Sequence, residues 1–306
     1  MYKIKKNFCL GLSKPLNIFD YKIRKMINLS IKNDLYFHIS ISYPLNFYFV
    51  KYLLSKKKRL GIKFISKILG DSMLNFRKSF KLTLNELGIK KLYIAQLVNL
   101  PILDPKKRRF DEINFTEFNQ LIEETNLLKK TRSIEKLYLQ IFSSDDFEFC
   151  IKIKKYFDGF AFYADLNNIY IKKEVYDFIL ENDIPCIILS IFGNPTEKAD
   201  NDLHIKSYQF SQDRFSSNTI AVGRTKNLNR IEEIITETKN PKNIIVTDNI
   251  NFNEKKDIQE ESINYFNRYK VSNSWYLIIF LLKSIIKLTL PNKIFYYLKK
   301  LLKSTK

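Results

Sequence analysis

Short apolar runs rich in β-branched and aromatic residues alternate with longer amphipathic stretches from the N-terminus to about residue 240. The runs Phe8–Ser13, Leu35–Ser40, Lys63–Ile68, Leu92–Val98, Leu137–Phe142, Gly159–Tyr163, Cys186–Phe192 and Thr219–Gly223 predict strands. They are near-continuously apolar, as expected when crossover helices bury both faces of a sheet. Helical spacing of apolar residues predicts helices over Asp20–Ile31, Asn75–Leu87, Phe115–Leu128, Lys172–Asn182 and Leu228–Thr238. Eight strand–helix units in this length predict an α/β chain folded as a (β/α)8 TIM barrel. A doubly wound open sheet is the competing architecture, because periodicity does not report closure. The predicted organisation is a barrel over residues 1–240, a polar, Asn-rich connector over 241–273 and a C-terminal amphipathic helical extension over 274–306.

Composition narrows the chemistry. The 306 residues contain three Cys (Cys9, Cys150, Cys186) and two His (His38, His204), too few for a disulfide scaffold, a Cys-rich zinc site or a multi-His metal centre. No metal is expected. The N-terminal apolar stretch is too short for a signal peptide, and no run reaches the roughly 18 uncharged apolar residues of a spanning helix. The expectation is a cytoplasmic barrel.

With 52 Lys+Arg against 32 Asp+Glu, the formal charge is +20. Such a balance points to nucleic acid or an anionic membrane. Lysine enrichment touches every segment, however, and the runs Lys56–Arg59 and Lys106–Arg109 lack interleaved aromatics, so they read as solvated loops. No nucleic-acid partner is expected. The tail is different. Residues 274–306 carry seven Lys and no acid among Trp275, Phe280, Phe295, Tyr296 and many Leu and Ile. That pattern suits a helix lying in an anionic membrane surface, at the inner face of the membrane; packing across the barrel bottom is the other reading.

Several segments, in order, resemble the aldo-keto reductase superfamily. FCLGLSKP resembles its first barrel strand, and His38-Ile-Ser-Ile-Ser-Tyr43-Pro matches the spacing of its Asp-Thr-Ala-x-x-Tyr-Gly stretch. IKFISKIL places Lys67 at the strand-end lysine. FRKSFKLTLNELGIKKLYIAQLVNLP, the most specific match, resembles the Ser-Leu-x-x-Leu-Gly helix and the strand ending in His-x-Pro. YLQIFSSDD, CIILSIFGNP and IAVGRTKNLNRIEEI resemble the later strands and the phosphate-binding turn.

The resemblance implies an NADP- or NAD-dependent oxidoreductase that reduces a small-molecule carbonyl, with a sugar or nucleotide sugar of cell-surface glycan metabolism as one candidate. Tyr43 would donate the proton and Lys67 would lower its pKa. The carboxylate that holds the lysine is replaced by His38. The family histidine falls at Asn99 if Asn-Leu-Pro is matched to His-x-Pro, or at Val98 by an ungapped count; Asn99 is preferred because its amide can still donate. Ser143 and Ser144 take the Ser-Asn positions that hold the cofactor carboxamide, Leu189 replaces the tyrosine that stacks on the nicotinamide, and Ser190 is kept. Gly223, Arg224 and Lys226 would take the adenosine phosphate, which favours NADP. The lost Asp, His and Tyr leave a second reading open, a catalytically degenerate barrel serving as a binding or membrane-associated accessory protein.

Overall fold

A computed structural model of the chain describes residues 7–12, 21–40, 50–51, 53–104, 108–166, 168–192, 203–215, 218–225, 227–239 and 250–252. The strands are β1 (Phe8–Gly11), β2 (Tyr36–Ser40), β3 (Phe64–Ile68), β4 (Leu92–Leu97), β5 (Ile134–Gln140), β6 (Gly159–Asp165), β7 (Asn168–Ile169), β8 (Cys186–Leu189), β9 (Ile220–Gly223) and β10 (Asn251–Phe252). The helices are α1 (Tyr21–Lys32), α2 (Lys56–Leu60), α3 (Met73–Leu87), α4 (Phe115–Lys130), α5 (Phe147–Lys154), α6 (Lys173–Glu181), α7 (Leu203–Asp213) and α8 (Leu228–Lys239).

Among the described residues, β1 to β6 pair in sequence order, all parallel; β6 then pairs with β8, β8 with β9, and β9 returns to β1. The ring closes. This is a (β/α)8 barrel, and the open doubly wound sheet is excluded by the β9–β1 pairing. The short β7 folds back antiparallel on β6, and β10, from within the expected connector, pairs with β7. The residues from 253 onward, including the amphipathic tail, lie outside the described residues.

Local chemistry sets the helix ends. Ser72 caps α3 by accepting from Asn75 N–H at 3.2 Å, and Gly88 ends it in the left-handed region with φ of 63°. The buried positions of α3, Phe76, Ser79, Phe80, Thr83 and Leu87, recur at helical spacing and face the barrel. Asn114 caps α4 in the same way through Glu117 N–H. The next helix has no side-chain cap bond. Asp146 stands at the N-cap of α5 but pairs with Lys172 at 2.7 Å, while Asp145 turns inward to Arg108.

Alternation along the strands divides two buried layers. Phe8, Phe37 and Phe64 face outward and are fully covered. Cys9, Ile65, Ile94, Tyr138, Ala161, Ile187, Leu189, Ile220 and Val222 pack together as a core cluster. All three cysteines are free and buried.

Candidate active site at the barrel mouth

Two residues further along each strand, on the same face, the core becomes polar. Tyr36 gives way to His38, Ile65 to Lys67, Ile94 to Gln96, Tyr138 to Gln140 and Ala161 to Tyr163. Period two puts each of these residues on the inward face, and parallel strands bring all five to the C-terminal mouth, where barrel active sites are built.

The first group is a chain of hydrogen bonds. Gln96 Nε2 donates to Gln140 Oε1 at 2.9 Å, which leaves Gln96 Oε1 facing His38 Nε2 at 2.9 Å. The imidazole is therefore assigned its proton on Nε2, as donor. Burial, aided by the positive charges of Lys67 and Arg224, holds His38 well below the usual histidine range, to about 3. It is neutral at physiological pH. Below about pH 6.5 the unfolded chain takes up a proton that the folded ring refuses, so stability is complete above that pH and is lost as pH falls towards 3. Thermal melts should show a steep loss of Tm between pH 6.5 and 4, and His38→Asn should flatten it. An unchanged slope in the variant would mean that other groups govern acid lability.

The second group spans the mouth. Lys67, 9% exposed on β3, donates from Nζ to the phenol oxygen of Tyr163 on β6 at 3.3 Å, and its Nζ lies 5.6 Å from that ring's centre.

The third group lies at the β8–β9 rim. Arg224 donates to Ser190 Oγ, and Ser190 itself sits at φ of 61°. The Arg224 stem crosses β1 at Gly11, where an added Cβ would meet Arg224 Cγ at 2.7 Å. A bare backbone at Gly11 is what lets the guanidinium approach the mouth. Gly223 faces the other way. The space beside it is filled by the Phe192 and Phe8 rings, 2.4 and 2.8 Å from a hypothetical Cβ, so its smallness serves packing between barrel and helices.

The fourth group braces β4 and β5. Arg108 pairs with Asp145 at 2.8 Å, with side chains 6% and 0% exposed, and donates to Gln140 O at 3.0 Å and Val98 O at 3.3 Å. Its guanidinium lies over the Phe142 ring at 4.6 Å. Burial pushes the Asp145 carboxyl up to about 6, against the opposing pull of Arg108 and of the Phe142 N–H, so the pair is ionised at neutral pH.

Of the sequence-derived candidates, His38 and Lys67 therefore meet at the mouth, and Ser190 and Arg224 meet at the rim. Asn99 is half-buried with Oδ1 towards Arg108 at 3.5 Å, Ser143 is half-buried after β5, and Ser144 beside it is exposed. Tyr43 and Lys226 lie outside the described residues. Two basic runs that read as solvated each hold a buried arginine: Arg108, and Arg59, which donates to Lys51 O and Leu54 O. Sequence reading missed Gln96, Gln140, Tyr163 and Arg108. For the two glutamines a signal exists, since each is the lone polar residue in the apolar part of its strand.

No family model and no curated protein matches the sequence. Solved structures do. An aldo-keto reductase of Klebsiella pneumoniae, solved with NADPH, superposes with a TM-score of 0.57 at 10% identity, over 87% of this chain and 92% of that one. The holo form of an aldo-keto reductase of Bacillus halodurans gives 0.55 at 14%, over 87% and 93%. The chain has the aldo-keto reductase fold. The aldose reductase of Giardia lamblia shares it too, with a TM-score of 0.57 at 9% identity over 87% and 94%. At the mouth of this aldo-keto reductase-like barrel, a neutral imidazole donates to Gln96 and Lys67 donates to a phenol on β6.

Proposed function

We propose that this barrel is an NADP(H)-dependent oxidoreductase that reduces a carbonyl group. The observation that carries the reading is Lys67, a buried ammonium bonded to a phenol at the C-terminal mouth of a barrel with this fold. Reduction of a carbonyl builds charge on its oxygen, so a proton donor must stand beside it, and a phenol bonded to an ammonium meets that need. The sequence resemblance gives the donor's place to Tyr43. A reduced nicotinamide would supply the hydride.

The rim residues suit such a cofactor. Ser190, Ser143 and Ser144 offer hydroxyls for an amide, and Arg224, with Lys226 by sequence, offers cations for phosphate; the donor set fits a dinucleotide. The Klebsiella neighbour solved with NADPH supports the choice of NADP(H). A sugar or nucleotide-sugar carbonyl is the substrate class put forward on the sequence reading.

One observation favours a second reading, a binding or membrane-associated accessory barrel: His38 is neutral and bonded to Gln96, so it brings no negative charge to Lys67. Titrating the full-length protein with NADPH and NADH, followed by nicotinamide fluorescence, decides between them. Saturable binding with NADPH preferred is the expected result. No binding at millimolar cofactor would overturn the oxidoreductase reading and leave the accessory one.

A further inference from the structure

We propose that Tyr163 is a catalytic proton donor of this barrel, the phenol that Lys67 activates. The inference rests on the oxidoreductase reading and adds to it a residue that no resemblance assigns.

The two side chains come from strands that are not neighbours in the ring. Lys67 stands on β3 and Tyr163 on β6, with β4 and β5 between them, yet Nζ and the phenol oxygen are 3.3 Å apart. That contact places the hydroxyl over the mouth rather than in its wall. Tyr163 also lies in register with Leu189 on β8, the position where the resemblance expects an aromatic platform for the nicotinamide. A nicotinamide held at that position would have this phenol on the neighbouring strand.

The surroundings favour charge on this oxygen. His38 faces the mouth from β2 as a neutral ring, Gln96 and Gln140 face it from β4 and β5 as amides, and Arg224 enters from β9 as a second cation. A phenolate bonded to an ammonium is stabilised relative to the phenol. Burial pushes the phenols of Tyr36 and Tyr138, deeper in the barrel, upward.

A reduced nicotinamide, when bound, would supply the hydride: its C–H bond would break and the ring would be oxidised by two electrons, while the new C–H bond to the carbonyl carbon formed and the C=O π bond broke. The carbonyl oxygen takes the proton from Tyr163 Oη, so the Oη–H bond breaks and the O–H bond of the alcohol forms. The carbonyl carbon is reduced by those two electrons. The phenolate left on Tyr163 is held by Lys67 until water returns a proton.

Two measurements on the full-length protein test this. In the first, tyrosinate absorbance is followed against pH without cofactor. One tyrosine should ionise at least a unit below the ordinary value of about 10, and this step should vanish in Tyr163→Phe and in Lys67→Met. In the second, single-turnover reduction of a carbonyl panel with NADPH is compared for wild type, Tyr163→Phe and Tyr43→Phe. Tyr163→Phe should slow turnover at least 10²-fold with cofactor affinity changed less than threefold. Absorbance curves of wild type and Tyr163→Phe that superpose below pH 10 would overturn the proposal. So would turnover lost in Tyr43→Phe but intact in Tyr163→Phe. A large loss of NADPH affinity in Tyr163→Phe would make the hydroxyl a cofactor contact and not the donor. Failure of the wild type to bind NADPH is a separate result, since it removes the oxidoreductase reading whatever the absorbance shows.

Discussion

Replacing Lys67 by Met lowers carbonyl reduction by about 10³-fold, the size expected when a proton donor loses its activator, and leaves the fold intact. The two consequences part because a buried lysine is costly to the folded state. Met has similar length and no charge, and it removes the desolvation cost that a buried ammonium imposes on the folded state. A drop in turnover with Tm unchanged or raised therefore marks Lys67 as a residue kept for chemistry. Loss of its charge also reaches His38, because Lys67 helps hold that imidazole deprotonated. In the variant His38 titrates at higher pH, so the acid window of instability, bounded by the folded and unfolded values, narrows from its lower end. Turnover within tenfold of wild type would show that the ammonium does not activate the donor.

The second large effect is structural. Arg108→Ala should destabilise the protein by about 3–5 kcal/mol, the cost of stranding a buried partner charge. In a barrel of this size that corresponds to a fall in Tm on the order of 10 °C. Asp145 would be left fully buried without its cation, and the carbonyls of Val98, just after β4, and Gln140, at the end of β5, would lose this donor. The double variant Arg108→Met with Asp145→Leu should recover much of the loss, since no lone charge then remains. Calorimetric or chemical unfolding of the two variants checks both statements. A loss below about 1 kcal/mol for Arg108→Ala would mean that water reaches Asp145 and the pair behaves as a surface bridge.

The expected strands and the observed ones coincide to within a few residues. The reason is that a strand covered on both faces must be apolar throughout, and a run such as CIILSIF shows this without any partner. The helices α1, α3, α4, α6 and α8 were legible because each has one apolar face. The helix α7 was not, since it buries His204, Ser207, Tyr208, Gln209 and Ser211 alike and so has no clean stripe. Short α5 offered too few turns to show a period.

The site was legible only in part. Lys67 stood out because a cation in an apolar strand demands a polar pocket, and the same argument, applied to Gln96 and Gln140, would have found the amide chain behind His38. Tyr163 gave no signal: in GFAFYAD it is one aromatic among several, and its value comes from a lysine 96 residues away. Arg108 was hidden in a basic run, where nothing local distinguishes a guanidinium that folds inward from its solvated neighbours.

What the chain determined by itself was the order and kind of its elements, since apolar period and capping residues act over a few positions. Ring closure, the pairing of Lys67 with Tyr163 and the burial of Arg108 against Asp145 were decided only in the tertiary structure. Each depends on contacts between residues far apart in sequence, and only a closed barrel brings their strand ends to one mouth.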